Sequence, residues 1–568
     1  MKKRPDPDPV YDLKSVDLPR LKGIALRIMA ALLESPFGLL VESSLLKNAG
    51  ISSLRTKRIE QRTSFQPVFP AGAAGSSPRR TAPRQWPQES GEKGPGFRFT
   101  GIHDYARAYR EGRTTPEDVA LRLLDFIERS DSDNPPLRAF IAVDRDEVLK
   151  QAEAAGERIK KGKASSPFDG VPIAIKDELD MVPYPTTMGT SFRRTVSAHR
   201  DATIVARLRA AGALLVGKTN MHEIGLGVTG LNPHHGTPRN PYNLDFHTGG
   251  SSSGNGAAVA SGLCPSAIGA DGGGSIRIPA AFCGFVGLKP TFGRVSTSGA
   301  EPAAWSVGHL GPMAATAADT ALTYLAIAGP DPMDPLTLDQ PEPTLKGWNN
   351  ADLSDLTLGV FWPWFRHAST DVVTVCEALL RAFQDRGAVL KEIAIPHLED
   401  GRVAHSITIA SEISQAFAHS YGEFRKSHGL DVRVNLALGY RMNAADYIQA
   451  QRARTRMISD FKRALDQVDV IITPATARTA PPIAAAALKS GESDLSTTME
   501  IMRYMTPANL TGLPAISFPA GYSPAGLPVG MQAIGRAWGE VTLLRLAHTA
   551  EGVVERRAPA LYYNLMTD

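Results

Sequence analysis

Two glycine- and serine-rich stretches carry residue types suited to acyl transfer. One is Thr248-Gly-Gly-Ser251-Ser252-Ser253-Gly-Asn-Gly256, the other Ala270-Asp271-Gly272-Gly273-Gly274-Ser275-Ile-Arg277-Ile-Pro279. Three consecutive glycines leave unhindered backbone N–H groups that can turn into one concavity. A hydroxyl beside such a nest is a nucleophile next to an oxyanion hole, which is what acyl transfer needs. A flexible linker has similar composition. Linkers lack apolar flanks, however, and here residues 257–260 and Ile276, Ile278, Ala280 and Phe282 supply them. A hydroxyl also needs a base. Lys176 closes the apolar run Gly170-Val-Pro-Ile-Ala-Ile-Lys176. Desolvation at a buried strand end disfavours the ammonium and leaves an amine able to accept a proton. The alternative is a surface lysine whose stem lies along the protein.

Other patterns fail in context. Gly212-Ala-Leu-Leu-Val-Gly217-Lys218-Thr219 fits the phosphate-loop expression. A phosphate loop follows a strand and opens a helix, whereas here a helical pattern precedes and Ala-Leu-Leu-Val reads as a strand. Gly250-Ser251-Ser252-Ser253-Gly254 fits the nucleophile elbow, but the preceding 243–248 is too polar for the buried strand an elbow requires. Ser44-Leu-Leu-Lys47 sits in an amphipathic helical pattern with no companion motif. His222-Glu223 does not extend to HExxH, and His234-His235 lies in a turn with no obvious third ligand, so no metal is expected.

Composition agrees with an ordinary globular protein. The 568 residues are 43% hydrophobic and 21% charged, which excludes global disorder and coiled coil. Three cysteines, Cys264, Cys283 and Cys376, without CxxC spacing exclude a disulfide framework and a cysteine-rich zinc site. No apolar run is long enough to span a membrane. The net charge of +4 is uneven: residues 1–95 carry 16 Lys/Arg and 9 Asp/Glu, a local +7. That basic excess permits nucleic acid or an anionic membrane surface as partner. The charged start is followed by no apolar stretch, so no secretory leader is expected and the location is expected to be cytoplasmic.

The elements that must position these residues alternate. Helices are predicted at about 115–129 (capped by Thr114 or Thr115), 144–161, 202–211 and 444–465. Strands are predicted at 171–176, 214–217, 358–362, 388–395, 470–473, 515–518 and 529–534. Such alternation predicts an α/β fold with a mixed sheet. Residues 17–49 read as helical, with Leu18, Leu21, Ala25, Ile28, Met29 and Leu32 at helical spacing and a break at Ser35-Pro36. Residues 63–97, rich in Pro, Gly, Ser and Arg, read as a linker or a long draped loop.

The two Gly/Ser stretches, the following Gly287-Leu-Lys-Pro-Thr291-Phe-Gly293-Arg, the lysine strand and Gly217-Lys-Thr-Asn-Met-His-Glu resemble the amidase signature hydrolases. Ser251 lies 75 residues after Lys176, and Ser275 lies 24 after Ser251, spacings that agree with that family. The resemblance runs from about residue 98 to the end. It implies the amidase signature fold, a twisted mixed β-sheet core covered by helices on both faces. It divides the chain into an N-terminal extension and linker (1–97) and a catalytic domain (98–568). It also implies a Ser–Ser–Lys triad: Ser275 as nucleophile, Ser251 as bridging serine after a cis peptide bond, and Lys176 as terminal base. The amides of Gly272, Gly273, Gly274 and Ser275 would form the oxyanion hole. Asp271 and Arg277 would hold the glycine loop, and Ser252 and Ser253 would supply supporting hydrogen bonds. No cofactor, metal or nucleic-acid partner is implied, and a homodimer is compatible with it.

A narrower resemblance is to the plant-type fatty acid amide hydrolases. It rests on Pro19-Arg-Leu-Lys-Gly-Ile-Ala-Leu, Leu33-Glu-Ser-Pro, Ala445-Asp-Tyr-Ile-Gln-Ala-Gln-Arg and Gly526-Leu-Pro-Val-Gly-Met-Gln-Ala-Ile-Gly-Arg-Ala-Trp538. It implies small-molecule acyl amide substrates, led by long-chain N-acylethanolamines or primary fatty amides. The alternatives are a short-chain or aryl amidase, the glutaminase subunit of a tRNA-dependent amidotransferase, and a catalytically dead binding or scaffold relative. Met499, Met502 and Met505 recur every three residues; core packing is the leading reading and a lipid pocket the other. The basic and apolar segment 18–49 suits either packing on its own catalytic domain or peripheral contact with a membrane.

Overall fold

The computed structural model describes residues 11–15, 20–70, 86–87, 94–192 and 197–567. Among them, eleven strands form one mixed sheet. In chain order these are β1 (Phe140–Ala142), β2 (Pro172–Lys176), β3 (Leu214–Thr219), β4 (Ser266–Asp271), β5 (Val286–Lys289), β6 (His309–Ala314), β7 (Thr357–Val360), β8 (Val389–Glu392), β9 (Val470–Pro474), β10 (Ala515–Tyr522) and β11 (Pro528–Gly535). The order across the sheet is β8-β7-β9-β11-β10-β5-β6-β4-β2-β3-β1. Two parallel trios, β4-β2-β3 and β8-β7-β9, are joined by antiparallel strands. Every residue of β2, β4, β6 and β11 is buried. Successive strand residues face opposite sides, so both faces of this sheet are covered. Helices supply the cover, as the resemblance to the amidase signature hydrolases implied.

Most predicted elements stand within a few residues of their expected bounds. The helix Pro116–Ser132 begins with Thr115 accepting from Asp118 N–H and Pro116 at its first turn. The long helix Ala444–Leu465 begins with an Asn443/Asp446 capping box. The phosphate-loop lookalike folds as helix Thr203–Ala210, a turn and β3. Its Lys218 is fully buried, bonded to the Leu179 carbonyl at 2.7 Å and paired with Asp177 at 3.1 Å. Asp177 also takes the N–H groups of Thr187 and Gly189, which fixes the chain where it leaves β2.

The N-terminal segment forms helices Gly23–Leu33, Gly38–Asn48 and Ile51–Thr56, with the break at Ser35-Pro36. The stripe it buries differs from the expected one. Leu26, Ala30 and Leu33 pack on Val434 and Ala437, whereas Ala25 and Ile28 face outward and Leu18 lies outside the described residues. The helix Gly-Ile-Ala-Leu-Arg-Ile-Met-Ala-Ala-Leu-Leu is apolar around most of its circumference, so periodicity sets no unique phase. Its neighbour decides. Burying each of these leucines contributes roughly 1.5–3 kcal/mol. Bidentate pairs from Arg433 to Glu34 and from Arg55 to Asp446 lock the hairpin to the helices Leu430–Gly439 and Ala444–Leu465. Leu46, Ile51 and Leu54 share one core cluster with Val403 and Phe461, which builds the extension into the catalytic body. Of the proline-rich stretch, residues 63–70 drape over that body, with Phe65 stacked on Tyr447 and Phe69 against Trp538. Residues 71–85 and 88–93 lie outside the described set.

Candidate active site

The parallel trio β4-β2-β3 positions the chemistry. Ligand sites in such sheets form beyond the carboxyl ends of parallel strands. Lys176 is the last residue of β2, and Asp271, the last of β4, opens the glycine loop. Ser251 precedes the helix Ser253–Ala260, with Gly250–Ser251 in the cis form. Lys176 is 1% exposed, so it is not the surface lysine of the alternative reading. Its Nζ donates to Ser251 Oγ at 2.8 Å and approaches the Ala270 carbonyl at 3.4 Å.

Ser275 lines the same cavity as Lys176 and Ser251. Among the described residues no hydrogen bond joins the Ser251 and Ser275 side chains. The two stretches meet through the backbone of the next residue, with Ser252 N–H donating to the Ser275 carbonyl at 3.4 Å. Ser252 Oγ bonds the Ala270 carbonyl at 3.3 Å as a supporting contact, whereas Ser253 Oγ is buried without a partner among the described residues.

The glycine loop is organised by one carboxylate. Asp271, fully buried, accepts from the N–H groups of Gly274 (2.7 Å), Ile276 (3.2 Å) and Arg277 (3.4 Å), from the Arg277 guanidinium (3.0 Å) and from Asn509 Nδ2 (2.9 Å). Burial opposes its ionisation, but Arg277 outweighs that, aided by Asn509 and Lys289, and holds the carboxyl well below the usual carboxylate range. Arg277 is tied in turn to Gln532 (2.6 Å), Asn509 (2.5 Å) and the Met505 carbonyl (3.1 Å). Gly274 N–H is therefore already engaged, which removes it from the four expected oxyanion donors. The N–H groups of Gly272, Gly273 and Ser275 have no acceptor among the described residues.

Two cavities meet at Ser275, Gly273 and Ile409. The smaller, about 150 Å³, is polar at one end, with Lys176, Glu178, Ser251, Glu301 and His309. The larger, about 250 Å³, is walled by Leu45, Leu46, Ile51, Leu226, Met499 and Met502. The methionine row is thus divided: Met499 and Met502 line the cavity, and Met505 is core.

Two participants carried no motif. Glu178 Oε2 stands 2.7 Å from Lys176 Nζ. Its signal was positional, since residues i and i+2 leaving a strand share a face. His405, buried in the helix Leu398–Ala416, bonds the Gly272 carbonyl through Nε2 at 2.7 Å. Nothing in the sequence around His405 announces it.

A family model for amidases matches residues 122–544. The chain belongs to the amidase signature family. This amidase is 39% identical to a fatty acid amide hydrolase of Oryza sativa subsp. indica, over 98% of this chain and 96% of that one. It is 37% identical to a glutamyl-tRNA(Gln) amidotransferase subunit of Roseiflexus sp. (strain RS-1), over 78% of this chain and 95% of the other. Among solved structures, the peptide amidase of Stenotrophomonas maltophilia matches with a TM-score of 0.69 at 28% identity, covering 81% of this chain and 98% of that one. The family, the relatives and the fold agree on an enzyme that hydrolyses amide bonds.

Proposed function

We propose that this amidase is a serine hydrolase of long-chain acyl amides, such as N-acylethanolamines or primary fatty amides. The observation that carries the reading is the mainly apolar cavity opening at Ser275, walled by Leu45, Leu46 and Ile51 of the N-terminal helices, with Arg402, Asp431, Glu492 and Asp494 also in its lining. The fatty acid amide hydrolase match spans 98% of the chain and so includes those helices, whereas the amidotransferase match spans 78%.

In this mechanism Ser275 Oγ attacks the amide carbonyl, and its proton passes through Ser251 to the Lys176 amine. Ser275 and Ser251 line the same cavity, and the transfer requires their hydroxyls to come within hydrogen-bond reach during the reaction. The N–H groups of Gly272, Gly273 and Ser275 receive the developing oxyanion. As Lys176 becomes an ammonium, Glu178 stands beside it to compensate the charge. The relay then reverses to protonate the leaving amine, and water releases the acid. The smaller cavity takes the amine portion and the larger takes the acyl chain.

A long-chain fluorophosphonate is the direct probe. The expected result is one adduct by intact mass in the wild type, none in Ser275→Ala, and protection by long-chain but not short-chain amides. An adduct retained in Ser275→Ala would overturn the nucleophile. Protection by short amides alone would make the enzyme a small-amide amidase, and no adduct in the wild type would make it a non-catalytic relative.

The reading extends to peripheral contact with a lipid surface. No helix among the described residues is long and apolar enough to cross a membrane. Ile24 and Ile28, one turn apart, and Phe37 and Leu39 at the hairpin bend are nevertheless 76%, 62%, 66% and 62% exposed, beside Arg27. An amphipathic surface of that kind suits an anionic interface.

A further inference from the structure

The three free N–H groups of the glycine loop share a construction. A trans peptide directs its C=O and N–H to opposite sides, so a bond that holds the carbonyl also aims the amide. The carbonyl paired with Gly272 N–H is that of Asp271, which accepts from Asn509 Nδ2 at 2.8 Å. The carbonyl paired with Ser275 N–H is that of Gly274, which accepts from Ile278 N–H at 2.7 Å. The carbonyl paired with Gly273 N–H is that of Gly272, and His405 Nε2 holds it at 2.7 Å. The remaining peptide, whose N–H is Gly274, is fixed instead from the amide side by Asp271.

We propose that His405 is a positioning residue for amide hydrolysis: by clamping the Gly272 carbonyl it aims the Gly273 N–H at the oxyanion. This rests on the reading of Ser275 as nucleophile. A carbonyl only accepts, so Nε2 carries the proton. Nδ1 is then a bare acceptor, buried without a partner among the described residues. Burial pulls the imidazole down to about 4, which keeps it neutral near neutral pH. The ring is held from behind by its helix and lies against the peptide it orients. An alanine Cβ at Gly273 would come 3.0 Å from the imidazole Cε1. His405 lines the larger cavity together with Ser275 and Gly273, so the clamp sits where the acyl carbonyl must arrive.

Two substitutions that differ by one methylene separate aiming from packing. The side-chain amide of Gln reproduces the position of Nε2, whereas that of Asn reproduces Nδ1 and falls short of the Gly272 carbonyl. His405→Asn is expected to lower kcat by about 10- to 100-fold, less than or equal to the loss of a whole oxyanion donor. KM should stay within about 3-fold. The affinity of a long-chain trifluoromethyl ketone, whose serine adduct carries the oxyanion, should fall by the same factor as kcat. His405→Gln is expected to return both to within about 5-fold of the wild type. The proposal is overturned if His405→Asn keeps kcat within about 3-fold. It is equally overturned if Asn and Gln lose activity alike, or if the loss lies in KM with ketone affinity unchanged. Ser275→Ala, measured in parallel, separates the two readings. Full activity there removes the nucleophile and this proposal with it, whereas an inactive Ser275→Ala beside a fully active His405→Asn removes the clamp alone.

Discussion

The loop from Asp271 to Arg277 and the N-terminal hairpin from Gly23 to Asn48 both border the larger cavity, yet they are built on opposite principles. The loop is held by polar bonds around the three N–H groups it leaves without an acceptor among the described residues: one carboxylate takes six donors, and Arg277 reaches four partners. The hairpin packs its leucines on one side, with the Glu34–Arg433 pair at its bend, and leaves isoleucine and phenylalanine in the open on the other. A fully satisfied buried network fixes positions to fractions of an ångström, which oxyanion donors need. Apolar packing is non-directional and tolerates volume-conserving change, which suits a wall that selects acyl chains. On the proposed reading, chemistry and selectivity fall to different kinds of structure within one site.

Breaking the loop should have the largest effect. Arg277→Met leaves the Asp271 carboxylate buried without its cation, and removing one partner of such a pair costs about 3–5 kcal/mol. Denaturant unfolding should show that loss, with activity falling further as Gly274 and Ser275 lose their anchor. A loss below about 1 kcal/mol would mean that the network contributes geometry without stability, and the contrast with the hairpin would fail.

Altering the hairpin should instead change preference and spare the chemistry. Leu45→Trp places an indole in the larger cavity. The value of kcat/KM for a C16–C18 acyl amide should drop about 10-fold, the scale on which an apolar pocket discriminates. A C2–C6 amide should stay within about 2-fold. Equal losses for both lengths would assign the hairpin to stability and not to selection.

The sequence was most legible where pattern and chemistry coincide. The helix Ala444–Leu465 stands at its expected bounds because its cap, its acidic first turn and its basic last turn agree with its periodicity. Lys176, Ser251 and Ser275 converge on one cavity as the amidase signature resemblance implied. Strands β1, β4, β5 and β6 were not visible. Ser-Ala-Ile-Gly-Ala-Asp and His-Leu-Gly-Pro-Met-Ala are poor in β-branched residues and carry turn formers. Pro312 is tolerated because β5 pairs with β6 only at Met313 and Ala314, which leaves Pro312 facing Ile268 of β4 on one side alone. His405 and Glu178 were not visible as site residues because their roles arise from the partner they meet, which only the fold supplies.

The smallest effect on the folded enzyme is expected at Ile28, and that makes it the cleanest probe of the hairpin's outer face. Ile28→Glu touches no core contact, so stability should stay within about 0.5 kcal/mol of the wild type. Turnover of a water-soluble short-chain amide should be unchanged. Co-sedimentation with vesicles containing anionic phospholipid should nevertheless fall several-fold, since an apolar anchor becomes a charge beside Arg27 on a surface that would enter the interface. The same substitution at Leu26, half a turn away and fully buried, should cost several kcal/mol through desolvation of the new carboxyl. Unchanged sedimentation of Ile28→Glu would leave the exposed isoleucines as ordinary surface and confine the hairpin's role to the acyl cavity.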